Sequence, residues 1–270
     1  MADRFNSLGK TKFWLVGFGI ITAQLVTISC RKQESATGID SGDEKMAAAK
    51  ITEGDQLYAA REDISKARVA VAAYRQAVTA DYGNYEAAWK LSRAAFYVGD
   101  RTDNDAERDD MFRQGIDAGK AAVQLQPEKP DGHFWLGANY GGTAAHSTLS
   151  NLSSFQDIRS EMEKVLKLDE SYQGYSAYLG LGRLYLQAPK VLGGDANKAV
   201  EYLEKGIKHN PNNTLMRYHL AEAYEATNRN ADAKKQIEAL LSATPDPKYM
   251  AEHKQAVENA KKLLEKVNRG

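Results

Sequence analysis

Residues 209–246 read HNPNNTLMRYHLAEAYEATNRNADAKKQIEALLSATPD and contain the spacing on which the fold prediction depends. Pro211 and Pro245 lie 34 positions apart. Between them are two segments with apolar residues at helical spacing, separated by the turn-like TNRN. A helix, a turn and a second helix between two equivalent prolines predict a helical hairpin that repeats every 34 residues.

The same order of small and large residues recurs upstream. In the last hairpin, Leu220, Ala221 and Tyr224 precede Ala233, Ile237 and Leu240, as in tetratricopeptide (TPR) repeats, which place small residues where two helices cross closely. The matching first-helix residues upstream are Tyr178, Leu181, Gly182 and Tyr185; His133, Leu136, Gly137 and Tyr140; and Ala88, Leu91, Ser92 and Ala95. A weaker unit with Ala70, Tyr74 and Ala77 comes first.

We therefore predict an all-α, TPR-like helical-hairpin solenoid over residues 51–270, with five units and a charged C-terminal capping helix, AEHKQAVENAKKLLEKV. Two long insertions are expected within repeats, GGTAAHSTLSNLSS at 141–154 and APKVLGGD at 188–195. The glycine pairs at 141–142 and 193–194 are expected to end helices in the left-handed conformation. No segment combines β-branched alternation with hairpin turns, so strands are not expected.

The N-terminus has the pattern of a targeting segment. Basic residues in MADRFNSLGKTK precede an apolar run, and Cys30, the only cysteine, follows that run. The stretch VTISC resembles a bacterial lipobox, although Thr27 replaces the usual leucine. We predict a signal peptide over 1–30 with lipidation at Cys30 and a flexible tether over 31–50. Ordinary signal-peptidase cleavage with secretion and an uncleaved anchor helix stay open, and all three alternatives place the folded part outside the cytoplasm. We expect it to be anchored to a membrane in the cell envelope.

The sequence has no pattern typical of an active site. None of the five histidines belongs to an HExxH motif or pairs with cysteine at metal-ligand spacing, and no serine lies in a GxSxG motif. Lysine plus arginine equals aspartate plus glutamate at 36 each, which argues against a nucleic-acid partner. We expect no enzyme activity, no metal and no cofactor.

The first helices of a TPR array line its concave face, and their residues predict a groove. Ala138 and Gly141 are expected to face the same groove. The candidate groove residues are Trp89, Arg93, Phe96, Phe134, Leu179, Arg183, Tyr218 and Glu222. An apolar groove with two arginines suits an amphiphilic acid or the acidic tail of a partner protein, because guanidinium groups bind carboxylates through paired donors. In the alternative, these residues pack against the insertions and the arginines pair with Glu86 and Glu222.

Residues 130–265 resemble the T component (TatT family) of periplasmic TRAP-type transport systems, which are TPR-like lipoproteins. The resemblance depends on HFWLGANYG, on VLKLDESYQGYSAYLGLGRLYLQAPKVLGGDANKAVEYLEKGIKHNPNN and on LMRYHLAEAYEATNRNADAKKQIEALL. It implies a membrane-attached envelope protein that acts with a periplasmic solute-binding protein and helps to pass small organic ligands. It also leaves a homo-oligomer open.

A second function class stays open, a TPR scaffold for protein–protein interaction or envelope assembly that binds no small ligand. An enclosed apolar cavity would favour the uptake accessory. An open, charged groove wide enough for a peptide would favour the scaffold.

Overall fold

The computed structural model describes residues 41–146, 152–245 and 249–269. Within these ranges the chain forms eleven α-helices and one short 3-10 helix, and no strand. The predicted signal peptide with Cys30, and residues 31–40 of the predicted tether, lie outside them. None of the described helices is both long and apolar enough to span a membrane.

The helices follow one another with short connections. They are α1 (Ser41–Ala59), α2 (Ile64–Ala80), α3 (Tyr85–Arg101), α4 (Asp105–Leu125), α5 (Pro130–His146), α6 (Leu152–Leu168), α7 (Tyr172–Gln187), the 3-10 helix (Lys190–Leu192), α8 (Ala196–His209), α9 (Thr214–Ala226), α10 (Asn230–Leu241) and α11 (Met250–Arg269).

Neighbouring helices pack in pairs: α1 with α2, α3 with α4, α5 with α6, α7 with α8 and α9 with α10. The first helices of successive pairs also contact one another, α3 with α5, α5 with α7 and α7 with α9, and α11 packs on α9 and α10. The described residues therefore form an all-α solenoid of five hairpins and a closing helix, and the predicted fold class is confirmed.

The repeat positions form the core because they face the next helix. In the last hairpin, Leu220 and Ala221 of α9 and Ile237 and Leu240 of α10 are almost completely buried. Two of the first helices, α3 and α9, start in the same way: the side chains of Asn84 and Asn213 accept hydrogen bonds from backbone N–H groups three residues later, at 3.0 and 2.9 Å. Such an N-cap satisfies a donor that the first turn of a helix leaves without a partner.

The N-terminal boundary differs from the prediction. Residues 41–50, expected as part of the 31–50 tether, form the first half of α1. Ala47 and Ile51 lie one helical turn apart and are both buried, and Ile51 packs with Ala77 and Ala87 of the following helices. The polar composition of this stretch concealed two apolar positions at helical spacing.

The first predicted insertion is also shorter than expected. Helix α5 continues to His146 and α6 begins at Leu152, so only residues 147–151 separate them, and these lie outside the described ranges. The prediction that Gly141 and Gly142 end a helix is wrong, because both lie within α5. A β-carbon at Gly142 would lie 2.3 Å from the Phe112 ring, so this glycine permits close packing against α4. Gly193, with φ of 106°, does end the 3-10 helix in the left-handed conformation, as predicted.

Candidate functional site

A cavity of about 570 Å³ lies between α5, α6 and α7, bordered by the end of α3, by Leu215 of α9 and by Tyr249. This volume falls within the range of pockets that hold small ligands. Its walls are largely apolar. The aromatic residues that line it are Phe96, Phe134, Trp135 and Phe155, with Tyr249 at the border.

The cavity exists because the α5 face that lines it carries small side chains. Gly137, Ala138, Gly141, Ala144 and Ala145 all contribute to the lining. A β-carbon built on Gly141 would meet no heavy atom within 4 Å. Protein interiors are normally close-packed, so a helix face made of glycine and alanine leaves space that its neighbours do not fill.

Helix α6 forms the floor of the cavity through Met162, which is 3% exposed. A β-carbon would lie 2.8 Å from Met162 at Gly137 of α5, and 3.0 Å from it at Gly180 of α7. These two glycines allow the thioether to lie between the first helices. The cavity consequently reaches from the concave face down to the second layer of helices.

Arg183 is the charged group of greatest interest in the lining. The other charged side chain there, Asp100, accepts a hydrogen bond from Arg101 at 3.1 Å. Within the described ranges Arg183 forms no ion pair, and its Nε atom is buried without a hydrogen-bond partner. Leaving a buried donor without a partner costs about 1–3 kcal/mol. A ligand group that accepts hydrogen bonds would recover this energy.

Glu222 interacts electrostatically with Arg183 but already has other hydrogen-bond partners. The Tyr218 hydroxyl donates to Glu222 at 2.6 Å, and Nδ1 of His219 contacts the second carboxylate oxygen at 2.7 Å. Burial lowers the pKa of His219, and the positive charge of Arg183 lowers it further, so the imidazole is neutral at pH 7 and donates from Nδ1. Burial opposes ionisation of Glu222, but these hydrogen bonds and Arg183 outweigh it and lower the pKa of the carboxyl group.

Helix α7 enters the cavity wall through an unusual turn. Gln173, Gly174 and Tyr175 all have left-handed backbone angles, with φ of 49°, 67° and 68°. The Tyr175 ring stacks on His209 at 4.8 Å, and the Asn210 side chain donates to the Gly174 carbonyl at 3.0 Å. A left-handed non-glycine residue costs about 1–2 kcal/mol, so these contacts stabilise a strained segment. The turn places Gln173 in the cavity lining.

A comparison with family models covers most of this architecture. Residues 50–188 match the family described as "Regulator of microtubule dynamics protein 1-3", which is 139 of the 270 residues. The chain belongs to this family. The match runs from α1 to the end of α7 and so includes the helices that form the cavity. Residues 192–256 match a tetratricopeptide repeat model.

Solved structures resemble the fold at low sequence identity. A thermophilic TPR protein of Thermus thermophilus has a TM-score of 0.57 and 20% identity, covering 78% of this chain and 99% of that one. PilF of Pseudomonas aeruginosa has a TM-score of 0.55 and 13% identity, covering 85% and 95%. The MamA protein has a TM-score of 0.50 and 19% identity, covering 81% of this chain and 93% of that one. A search of curated proteins found no match.

These findings show that this family member has a TPR fold. At such identities the structural likeness establishes the fold alone. The comparisons do not confirm the resemblance to the T component of TRAP-type systems, which stays a prediction.

The structure divides the predicted groove residues into three groups. Phe96, Phe134, Leu179 and Arg183 line the cavity together, as do Ala138 and Gly141. Tyr218 and Glu222, both on α9, are hydrogen-bonded to each other and are not part of the lining. Glu222 interacts electrostatically with Arg183 of α7. Trp89 and Arg93 do not line it either, because Arg93 packs between Trp89 and Tyr58 of α1.

The prediction that the arginines might pair with Glu86 and Glu222 does not hold within the described residues. Glu86 pairs with Lys90 at 2.5 Å, and Glu222 is bonded to Tyr218 and His219. Sequence reasoning missed Phe155 and Met162 because the predicted groove used first helices only and both lie on α6. It missed Trp135 of α5 because the repeat spacing assigned its neighbour Phe134 to the groove. The glycines in HFWLGANYGG and YLGLG could have indicated that side chains of the second helices line the groove between the first helices.

Proposed function

We propose that this protein is a non-enzymatic binding protein of the cell envelope, which holds a small amphiphilic carboxylic acid in the α5–α6–α7 cavity. The observation that carries the proposal is Arg183, a guanidinium group that forms no ion pair with the described residues and lies in a largely apolar cavity. The other charged side chain of the lining, Asp100, is bonded to Arg101. An acid group would take paired hydrogen bonds from Arg183. The apolar part of the ligand would replace water against the aromatic walls.

The size of these interactions fits a weak affinity. Burying about 200 Å² of apolar ligand surface contributes about 5 kcal/mol, and a hydrogen bond to a charged group adds about 1.5–3 kcal/mol. Part of this gain is offset by the loss of ligand freedom on binding. Because the gross gain of about 6.5–8 kcal/mol is reduced by this cost, the dissociation constant should be weaker than micromolar, on the order of 0.1–1 mM.

The finer role is that of an accessory to a TRAP-type uptake system, acting beside a periplasmic solute-binding protein. It draws support from the resemblance described above. Arg183 itself belongs to the LGRLY run, and Pro189 and Leu192 of the insertion line the cavity. The lipobox-like VTISC supports attachment to a membrane, with lipidation at Cys30 or an uncleaved anchor.

Titration of the full chain in detergent with decanoate, decanol and decylamine tests the ligand class. We expect decanoate to bind best. Arg183→Gln should weaken decanoate binding roughly 10–100-fold, because it removes one charge-assisted hydrogen bond. Arg113→Gln is the matched control, because the Arg113 side chain is 70% exposed on α4 and pairs with Asp110 there. Failure of all three compounds to bind would refute the proposal.

A second candidate is a scaffold without a small ligand, favoured by the TPR match and by the family to which the chain belongs. This family is named for the regulation of microtubule dynamics. Co-sedimentation with purified microtubules tests whether that activity extends to this chain. Binding that survives blockage of the cavity would assign it to another surface.

A further inference from the structure

Arginine and aromatic side chains alternate across the first two hairpins, and they are different residues from those that line the cavity. We call this set the arginine–aromatic ladder. Its members are Trp89, Arg93, Tyr58, Arg61, Tyr97 and Arg101, and the guanidinium carbons lie 4.9, 4.1, 5.0, 5.6 and 3.9 Å from the successive ring centres. Tyr58 comes from α1, Arg61 from the turn after it, and the others from α3.

The ladder covers the flat faces of its two central arginines. Arg93 lies between Trp89 and Tyr58, and Arg61 lies between Tyr58 and Tyr97. Burial raises the pKa of the Tyr58 hydroxyl, while the nearby arginine charges oppose the rise. Stacking stabilises each guanidinium group in one orientation. Because the rings cover the flat faces of these guanidinium groups, a binding partner can reach only the N–H groups at their edges.

The carboxylates around the ladder already have close cationic partners, Lys90 and the terminal arginine of the ladder, Arg101. Lys90 pairs with Asp55 at 2.6 Å and with Glu86 at 2.5 Å. Arg101 pairs with Asp100 at 3.1 Å and with Glu252 at 2.9 Å. Two cations therefore take up four carboxylates.

The two central arginines consequently keep unused donors. Arg93 is 3.9 Å from Asp55, beyond hydrogen-bond distance, and donates to the Tyr74 hydroxyl at 3.3 Å, while its Nε atom is buried without a partner. Arg61 donates to the Tyr58 carbonyl at a long 3.4 Å, and no carboxylate of the described ranges forms an ion pair with it. Pre-oriented guanidinium edges of this kind fit the planar carboxylates of aspartate and glutamate.

We propose that the ladder is a docking site for a short acidic segment of a partner protein, whose carboxylates pair with Arg61 and Arg93 while its apolar atoms contact Trp89. The proposal rests on the TPR scaffold and not on the cavity ligand. A nucleic acid fits less well, because the chain has no net charge and binding along a row of phosphates depends on an extended basic surface. A short acidic segment needs only local contacts.

Fluorescence anisotropy with labelled hexaglutamate tests the proposal on the full chain. We expect Arg93→Gln and Arg61→Gln each to weaken binding at least tenfold, and Arg61→Lys to weaken it as well, because lysine keeps the charge but lacks the planar pair of donors. Arg113→Gln is again the control and should leave the affinity unchanged. A Gly141→Leu variant, which fills the cavity, should also leave it unchanged.

Thermal unfolding identifies any variant that is not folded. If Arg93→Gln unfolds, Arg61→Gln still decides the outcome, since Arg61 lies in a turn and its one hydrogen bond to the described residues is long. Unchanged hexaglutamate affinity in a folded Arg61→Gln variant would overturn the proposal. Equal or tighter binding of a hexathymidine probe would overturn it in favour of a phosphate ligand. Loss of decanoate binding with hexaglutamate binding intact would remove only the cavity function.

Discussion

Replacing Gly141 by leucine should stabilise the fold and at the same time block the cavity. Gly141 lies within α5 and lines the cavity, and a β-carbon there would meet no heavy atom within 4 Å. A leucine side chain can therefore extend into empty space without displacing a neighbour. Most single substitutions destabilise a protein. A variant that is more stable and yet binds less ligand would therefore indicate that its new side chain fills the cavity.

Two contributions set the size of the stabilisation. Glycine in a helix interior is about 1 kcal/mol less favourable than alanine. Complete burial of a leucine side chain contributes about 1.5–3 kcal/mol, and burial in a cavity that is open on one side should give about 1 kcal/mol. The sum is about 2 kcal/mol, which corresponds to a rise in Tm of about 4–8 °C for a protein of this size.

The neighbouring glycine provides a matched control of opposite sign. A β-carbon at Gly142 would lie 2.3 Å from the Phe112 ring, so Gly142→Leu should destabilise the protein by about 1–3 kcal/mol through overpacking. Gly141→Ala isolates the helix contribution of about 1 kcal/mol from the filling of the cavity.

Calorimetry of all three variants in one detergent buffer gives the stabilities, and decanoate titration gives the affinities. We expect Gly141→Leu to reduce decanoate affinity at least tenfold and Gly141→Ala to leave it within a few-fold. A Gly141→Leu variant that is less stable than the parent chain would refute the existence of the open space beside Gly141. Stabilisation with unchanged decanoate affinity would refute the assignment of the ligand to this cavity.

Three further predictions concern the scaffold. Asn213→Ala removes the acceptor for the Met216 N–H at 2.9 Å and should lower the free energy of unfolding by about 1 kcal/mol in urea titrations; no change would contradict the capping role. Gly193→Ala should cost about 1–2 kcal/mol in the same assay, because alanine at φ of 106° is strained, and an unaltered midpoint would argue against that geometry. Burial opposes protonation of His133, but hydrogen bonds to Glu161 and a backbone carbonyl raise its pKa above 6.5, so its contribution to stability should be complete below pH 6.5 and be lost as the pH rises through the folded value. Unfolding measured from pH 5.5 to 9 should show this loss in the parent chain and not in His133→Gln.

The repeat spacing was sufficient to predict the hairpins, because each unit must bury the same positions against its neighbour. Leu220, Ala221, Ile237 and Leu240 were assigned to the core from their order alone, and all are almost completely buried. The same reasoning placed Phe134 and Arg183 on the concave face. It failed at Gly141 and Gly142, where two adjacent glycines were expected to end a helix and instead continue it.

Whether the concave face holds a cavity or a packed surface depended on three helices at once. Spacing along one helix says which residues face the groove, but the empty volume is set by what the opposite helices place there. Met162 of α6 reaches the cavity because Gly137 and Gly180 leave room for it from both sides. Partner choice among charged groups is likewise a matter of distance in the folded chain: Trp89 and Arg93 joined Tyr58 on α1, while Arg183 was left without an ionic partner in the described part of the chain. Local periodicity contains no information on such distances, because they are fixed only when side chains far apart in sequence pack together.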